Sequence, residues 1–93
     1  MGTFAVLLHE DERESNDMIR ERIETRYPKD EHYKFAENLY LVTGPRLANE
    51  VVEALGMTEN DSLAAVVLRL NGSFTGRSWT SFWDWMRAAN EPR

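Results

Sequence analysis

The chain contains no cysteine, which excludes disulfide bonds and thiolate chemistry. It also lacks any apolar stretch close to the ~20 residues that a membrane-spanning helix requires. The apolar run after Met1, Phe4–Leu8, is too short for a signal peptide and has no basic residue before it. Lys and Arg are outnumbered by Asp and Glu, eleven to sixteen, which gives a formal net charge of −5. We therefore expect a cytoplasmic protein with no membrane partner and, because of its charge, little affinity for nucleic acid.

What remains is an ordinary globular composition in a short chain. The 93 residues are 42% hydrophobic, which predicts a single folded domain over 1–93. We divide it into a core at 1–70 and a C-terminal loop and helix at 71–90. A domain of this size buries only about 60–65% of its unfolded surface, so a homodimer would be a natural source of further stability.

The first third of the chain predicts a strand followed by a helix. Thr3–Leu8 is short, continuous and rich in Phe, Val and Leu, as a buried strand is. The helix should run to about Arg26, capped by Asp11 or Ser15 and stopped by Pro28. Its predicted apolar stripe consists of Met18, Ile19, Ile23 and Tyr27.

The middle of the chain changes from helical to alternating periodicity. Tyr33–Ala36 and Leu39–Val42 predict a hairpin, with Asn38 in its turn suited to a positive φ. A single long strand with a bulge is the alternative. A second helix is expected from Arg46 to Leu55, with Leu47 among its inward residues and Gly56 as its stop.

The most hydrophobic run, Leu63–Leu70, is apolar on both faces and therefore predicts a central strand. The complete order is β-α-β-β-α-β, followed by a loop and a last helix. This order predicts an α+β, ferredoxin-like fold, in which a four-stranded antiparallel sheet carries two helices on one face. The aromatic C-terminal helix is an addition to that arrangement.

The C-terminal helix is the most distinctive segment, because all three tryptophans of the chain lie in it. After a Ser78 cap, an apolar stripe follows at spacings of three and four. The stripe consists of Trp79, Phe82, Trp83 and Met86. We expect it to cover the bare face of the sheet or to form a dimer seam. Trp85 lies off that stripe, and either contacts a partner or is half-buried beside the sheet.

The loop before this helix, residues 72–78, is similar to a phosphate-binding loop but differs from it in two respects. One residue is missing between the glycines, and Arg77 stands where that motif has lysine. We favour a glycine-permitted turn. A simple anion site at Arg77 and Ser78 is the alternative.

No metal site is predicted from side-chain spacing. His9 and His32 both neighbour acids, but neither cluster has the spacing of a known ligand set, and solvated strand and loop ends account for both. No nucleophile motif is present either.

Four segments resemble a family of small ferredoxin-like proteins, which includes the small subunit of the CRISPR spacer-acquisition complex and the VapD-type and SinR-like proteins. They are TFAVLLHED, KFAENLYLV, LANEVVEAL and LAAVVLRLNGSFTG. The resemblance implies a symmetric dimer. It also implies an acid after the first strand that acts in metal-dependent phosphodiester cleavage. Here His9 occupies the place nearest that acid, and Glu10 and Asp11 follow it.

Two functions follow from these observations. The first is a non-enzymatic interaction or regulatory protein, an acidic homodimer that engages another protein. One form of this hypothesis is an inhibitor of a nucleic-acid-processing enzyme. The second is a nuclease or toxin-type ribonuclease that uses Mg²⁺ or Mn²⁺, with Glu10 and Asp11 as its catalytic acids. We favour the first, because the chain lacks a basic substrate track and the acid of the family is displaced.

Overall fold

A four-stranded antiparallel sheet is the centre of the fold in the computed structural model, which describes residues 2–70 and 80–90. The elements are β1 Thr3–Leu8, α1 Arg13–Arg26, β2 His32–Ala36, β3 Leu39–Thr43, α2 Ala48–Ala54, β4 Ala65–Leu70 and α3 Thr80–Asn90. The strand order is β2-β3-β1-β4. The α+β class, the four-stranded antiparallel sheet and the third helix predicted from the sequence are confirmed.

Strand β1 is central and pairs with strands on both sides. Val6 lies opposite Tyr40 of β3 and Val67 of β4, and every neighbouring pair in the sheet is antiparallel. Alternate residues of β1 point toward α1 and α2. They join the main core, whose largest fully buried members are Tyr40, Phe4, Ile19, Ile23, Leu55, Val6, Val42 and Val51. Both α1 and α2 therefore pack on one face of the sheet.

The opposite face holds a second, smaller core. Ala5 of β1, Leu41 of β3 and Met86 of α3 are buried together there. Ala5 and Leu41 are opposite each other in the β1–β3 register, so they share this face. The third helix thus lies on the face that α1 and α2 leave bare.

Residues 32–43 form a hairpin, and the alternative of one long strand is wrong. The pairing of β2 with β3 is irregular between Lys34 and Ala36. Asn38 does not take the positive φ that we expected. Within the described residues, Asp11 is the only non-glycine residue with positive φ, at 63°.

Both predicted caps of α1 are wrong. The helix begins after Glu12, and no side-chain hydrogen bond caps it. Asp11 instead makes the left-handed turn between β1 and the helix. Ser15 is buried inside the helix, where its hydroxyl oxygen accepts a hydrogen bond of 2.9 Å from the backbone N–H of Ala64. The hydroxyl ties α1 to the segment that enters β4.

Helix α2 is shorter than predicted because its first turn does not form. Leu47 has an extended backbone as the N-cap, and its side chain is 55% exposed rather than inward. The stop at Gly56 is confirmed by its φ of 79°. The guanidinium group of Arg22, which donates to the carbonyl of Leu55 at 3.2 Å, occupies the space where a Cβ on Gly56 would lie.

Strand β4 lies at an edge of the sheet, so the prediction of a central strand is wrong. It begins at Ala65 and pairs with β1 alone among the described strands, while β1 and β3 are the central pair. Leu63 is buried but precedes the strand. A continuous apolar run indicates burial on two faces, and here the residues on one of those faces remain exposed.

The apolar stripe of α1 gives a test of this packing. Ile19 is fully buried whereas Met18, its neighbour in the predicted stripe, is 40% exposed. We expect Ile19→Ala to lower the free energy of unfolding by about 2–5 kcal/mol, because it leaves a cavity in the main core. Met18→Ala should change it by no more than about 0.5 kcal/mol. Urea denaturation of the two variants measures the difference, and equal losses would contradict this orientation of α1.

Tyr27, the residue that ends α1, is 6% exposed, but within the described residues its hydroxyl has no hydrogen-bond partner. Burial raises the pKa of its phenol above 10.0, and the nearby Glu31 and Glu50 raise it further, against a smaller opposite effect from Arg26. A raised pKa in the folded state means that stability falls as the pH rises above 10.0, the unfolded value.

Tyr27→Phe should therefore stabilise the protein at neutral pH, by about 1 kcal/mol, because it removes a buried polar group that has no partner. It should also reduce the loss of stability above about pH 10. Thermal denaturation between neutral and alkaline pH measures both effects. A variant less stable than the wild type at pH 7 would show that the hydroxyl has a partner.

Candidate interaction surface

Helix α3 is held against β2 and β3 by aromatic and apolar side chains at helical spacing. Phe82, Trp85 and Met86 share one helix face, and they pack around Ala5 and Leu41 on the sheet. Trp85, which the sequence placed off the apolar stripe, is thus half-buried on the sheet side of the helix. Its indole N–H is buried without a hydrogen-bond partner in the described part of the chain.

Five rings from α3 and β2 form an aromatic cluster, which consists of Tyr33, Phe35, Phe82, Trp83 and Trp85. Phe82 is at its centre, with its ring centroid 5.4 Å from that of Tyr33, 5.1 Å from that of Phe35 and 5.0 Å from that of Trp83. All three pairs are edge-to-face, the geometry that aromatic rings prefer. Tyr33 also lies 5.8 Å from Trp85. The cluster fixes α3 over one half of the sheet.

An apolar pocket of about 240 Å³ lies between α3 and the sheet. Phe82, Trp83 and Met86 line it from the helix, and Leu70 lines it from β4. Phe35 lines it from β2 and Leu41 from β3. The pocket therefore extends from the aromatic cluster to the edge strand.

From this pocket, the same face of the sheet continues into an apolar strip, which consists of Leu7, Val66, Leu68 and Leu70 and which no helix within residues 2–70 and 80–90 covers. Leu7 lies opposite Val66 in the β1–β4 register, and Leu68 and Leu70 follow at intervals of two, so all four share one face. Each is exposed, with half of the Leu68 surface open to solvent. Large apolar residues grouped in this way mark interaction sites more often than single exposed ones do.

The two edge strands of the sheet differ in how they are protected. Strand β2 has an irregular pairing beside Lys34, whose ammonium group is 3.0 Å from the Glu37 carboxylate. Strand β4 pairs without interruption over six residues, contains no proline or lysine, and has Arg69 as its only charge. Bulges, lysines and prolines are the usual means of blocking an edge. Strand β4 has none of them.

Of the remaining sequence-predicted site residues, the structure describes only Glu10 and Asp11. Glu10 and Asp11 are exposed in the turn after β1. Among residues 2–70 and 80–90, no three His, Asp or Glu side chains are grouped to hold a metal ion. Arg77, Ser78 and Trp79, with the loop 72–78, lie outside the described residues.

Sequence reasoning missed the apolar strip and the part that β2 has in the aromatic cluster. Val66 and Leu68 were assigned to a covered strand, and Leu7 to a buried one. Tyr33 and Phe35 lie two positions apart in β2, so they share one face of the sheet. Their contact with Phe82, more than forty positions away, depends on where α3 packs.

Comparisons of the chain with family models, curated proteins and solved structures give no match. None of the helices in the described residues is long and apolar enough to cross a membrane. The case for a function therefore depends on the geometry of the chain itself.

The attachment of α3 can be tested at Met86, which is 2% exposed. The main core contains no residue of α3, so Met86→Ser should release the helix without unfolding β1 and β3. We expect the free energy of opening of α3 to fall by about 2 kcal/mol or more. Amide hydrogen exchange measures it, and tryptophan fluorescence should shift to the red, because every tryptophan is at position 79, 83 or 85.

Arg87→Ser, at the exposed neighbouring position, is the control and should change neither signal. Loss of amide protection in β1 to the same extent as in α3 would contradict the independence of the two cores.

Proposed function

We propose that this chain is a non-enzymatic interaction protein that works as a homodimer, with the β4 edge and the apolar strip as its contact surface. The observation that carries the proposal is the exposed, unblocked edge strand with three apolar side chains on one face. Another copy of the chain is the occupant that this surface fits best, for reasons of hydrogen bonding, symmetry and charge.

The hydrogen-bonding reason is the free side of β4. In the described residues its backbone pairs with β1 on one side only. An edge of this kind presents a row of N–H and C=O groups that another strand can pair with. A second β4 has the same length and the same alternation, so pairing would join two sheets of four strands.

The symmetry reason is the register of an antiparallel β4–β4 pair. A two-fold axis through Leu68 would place Val66 opposite Leu70, which keeps the apolar strips of the two copies on one face. The same axis would place Arg69 opposite Val67, so the two arginines would not meet. Facing apolar side chains on neighbouring strands stabilise a sheet by about 0.2–1 kcal/mol per pair.

The charge reason is that the strip carries no charge, although the chain has a net charge of −5. Two copies repel each other because both are acidic. A contact surface without acids keeps the negative charges of the two copies apart, which weakens that repulsion. A partner of another kind would need its own apolar edge strand to fill the same place. The proposal therefore commits to the homodimer that the family resemblance also implies.

The ferredoxin-like arrangement is part of the same proposal. Helix α1 connects β1 to β2 with β3 between those two strands, and α2 connects β3 to β4 with β1 between them. Two interleaved β-α-β units of this kind, with both helices on one face, support the assignment.

Replacing the strip with charge tests the proposal. Leu68→Lys should raise the dimer dissociation constant by at least about tenfold, because a lysine on each copy would meet at the two-fold axis. Leu47→Lys is the matched control, since Leu47 is equally exposed and lies at the start of α2, away from the strip. Sedimentation equilibrium measures both. A monomeric wild type, or equal weakening by the two variants, would overturn the proposal.

The proposal that the protein has no enzymatic activity is tested separately. Purified protein is incubated with RNA or DNA in the presence of Mg²⁺ or Mn²⁺, and compared with Glu10→Gln and Asp11→Asn. We expect no cleavage by any of the three. Metal-dependent cleavage that either variant loses would establish the nuclease alternative instead.

A further inference from the structure

A second concave site lies at the end of the helix layer, where the chain leaves α1 and enters α2. This cleft has a volume of about 510 Å³, within the range of about 300–1,000 Å³ that small-molecule sites occupy. Tyr27 and Arg26 line it from α1, Glu50 from α2, and Glu31 and Gly44 from the segments at the ends of β2 and β3. None of them belongs to the apolar strip or to α3.

The charged side chains that line the cleft form no ion pair with one another. Arg26, Glu31 and Glu50 take part in none of the ion pairs within residues 2–70 and 80–90. With two carboxylates against one guanidinium, the lining has an excess of one negative charge. Unpaired carboxylates are acceptors only, so they favour a ligand that donates hydrogen bonds and is positively charged.

Glu31 is held in place from two directions. Its N–H donates to the carbonyl of Pro28 at 2.8 Å, and its carbonyl accepts from the N–H of Thr43 at 2.9 Å. Its carboxylate oxygen Oε1 lies 3.0 Å from the position that a Cβ on Gly44 would take. Gly44 has a φ of 122°, a conformation that other residues rarely adopt. The absence of a side chain at Gly44 thus lets the carboxylate lie over the backbone.

The buried hydroxyl of Tyr27 is the independent indication that something binds here. A phenol with 94% of its residue surface buried and no hydrogen-bond partner in the described residues is uncommon in a folded protein. Glu31 and Glu50 are the two acids that act on this hydroxyl electrostatically, and both line the cleft. Because Tyr27 itself lines the cleft, a ligand that these carboxylates attract would bind beside this residue.

We propose that this cleft binds a small organic cation with an ammonium or guanidinium group. The carboxylates of Glu31 and Glu50 provide the charge, and the Tyr27 hydroxyl accepts a hydrogen bond from the ligand. A metal ion fits less well, because the described residues group no three His, Asp or Glu side chains. The site is separate from the proposed dimer contact and does not depend on it.

Isothermal titration calorimetry of the full chain with putrescine, at physiological ionic strength, tests this proposal. We expect saturable binding, and no binding of 1,4-butanediol, which has the same length but no charge. Glu31→Gln and Glu50→Gln should each weaken putrescine binding about tenfold or more, as expected for a hydrogen bond to a charged group. Arg26→Gln should tighten it about threefold, because it removes the competing charge.

Two further variants separate this site from general attraction to an acidic protein. Glu21→Gln, at an exposed position of α1 outside the cleft, removes the same charge and should leave the affinity unchanged. Tyr27→Phe should weaken binding about fivefold while the protein stays folded. Equal weakening by Glu21→Gln and Glu31→Gln, equal binding of butanediol, or no saturation by about 1 mM putrescine would overturn the proposal.

Discussion

The structure depends on the burial of β1 on both of its faces. Phe4 and Val6 point into the main core, and Ala5 points into the small core under α3. A helix is about 10 Å wide and strands are about 4.8 Å apart, so one helix covers about two strands. Two helices suffice for the four strands on one face. On the other face α3 covers β2 and β3, and within the described residues no helix covers β4.

The elements that short-range pattern determines were predictable from the sequence. Thr3–Leu8 forms the predicted strand, and Ile19 and Ile23 face the core as their helical spacing indicated. The hairpin follows from the alternating periodicity of Tyr33–Ala36 and Leu39–Val42, although Asn38 does not take the expected positive φ. The stop at Gly56 follows from the ability of glycine to take a positive φ. These features need no knowledge of what the segment packs against.

The position of β4 and the contact face of α3 were not predictable in the same way. An apolar run such as Val66–Leu70 looks alike in a central and an edge strand, since strand order is decided by long-range pairing. The predicted stripe shares Phe82 and Met86 with the set that packs on the sheet, and only the position of the sheet shows that Trp85 belongs to that set as well. The cleft also depends on long-range contacts, because residues far apart in the sequence, such as Tyr27 and Glu50, line it together.

In the proposed dimer, the difference between the two edges would limit how far association proceeds. If two β4 strands pair about a two-fold axis, both outer edges of the joined sheet are β2 strands. Each of these carries the irregular pairing at Lys34 and the Lys34–Glu37 ion pair, which oppose the addition of a further strand. A contact of this kind closes on itself instead of growing into a fibre. The net negative charge of the chain would act in the same direction, because it opposes the close approach of further copies.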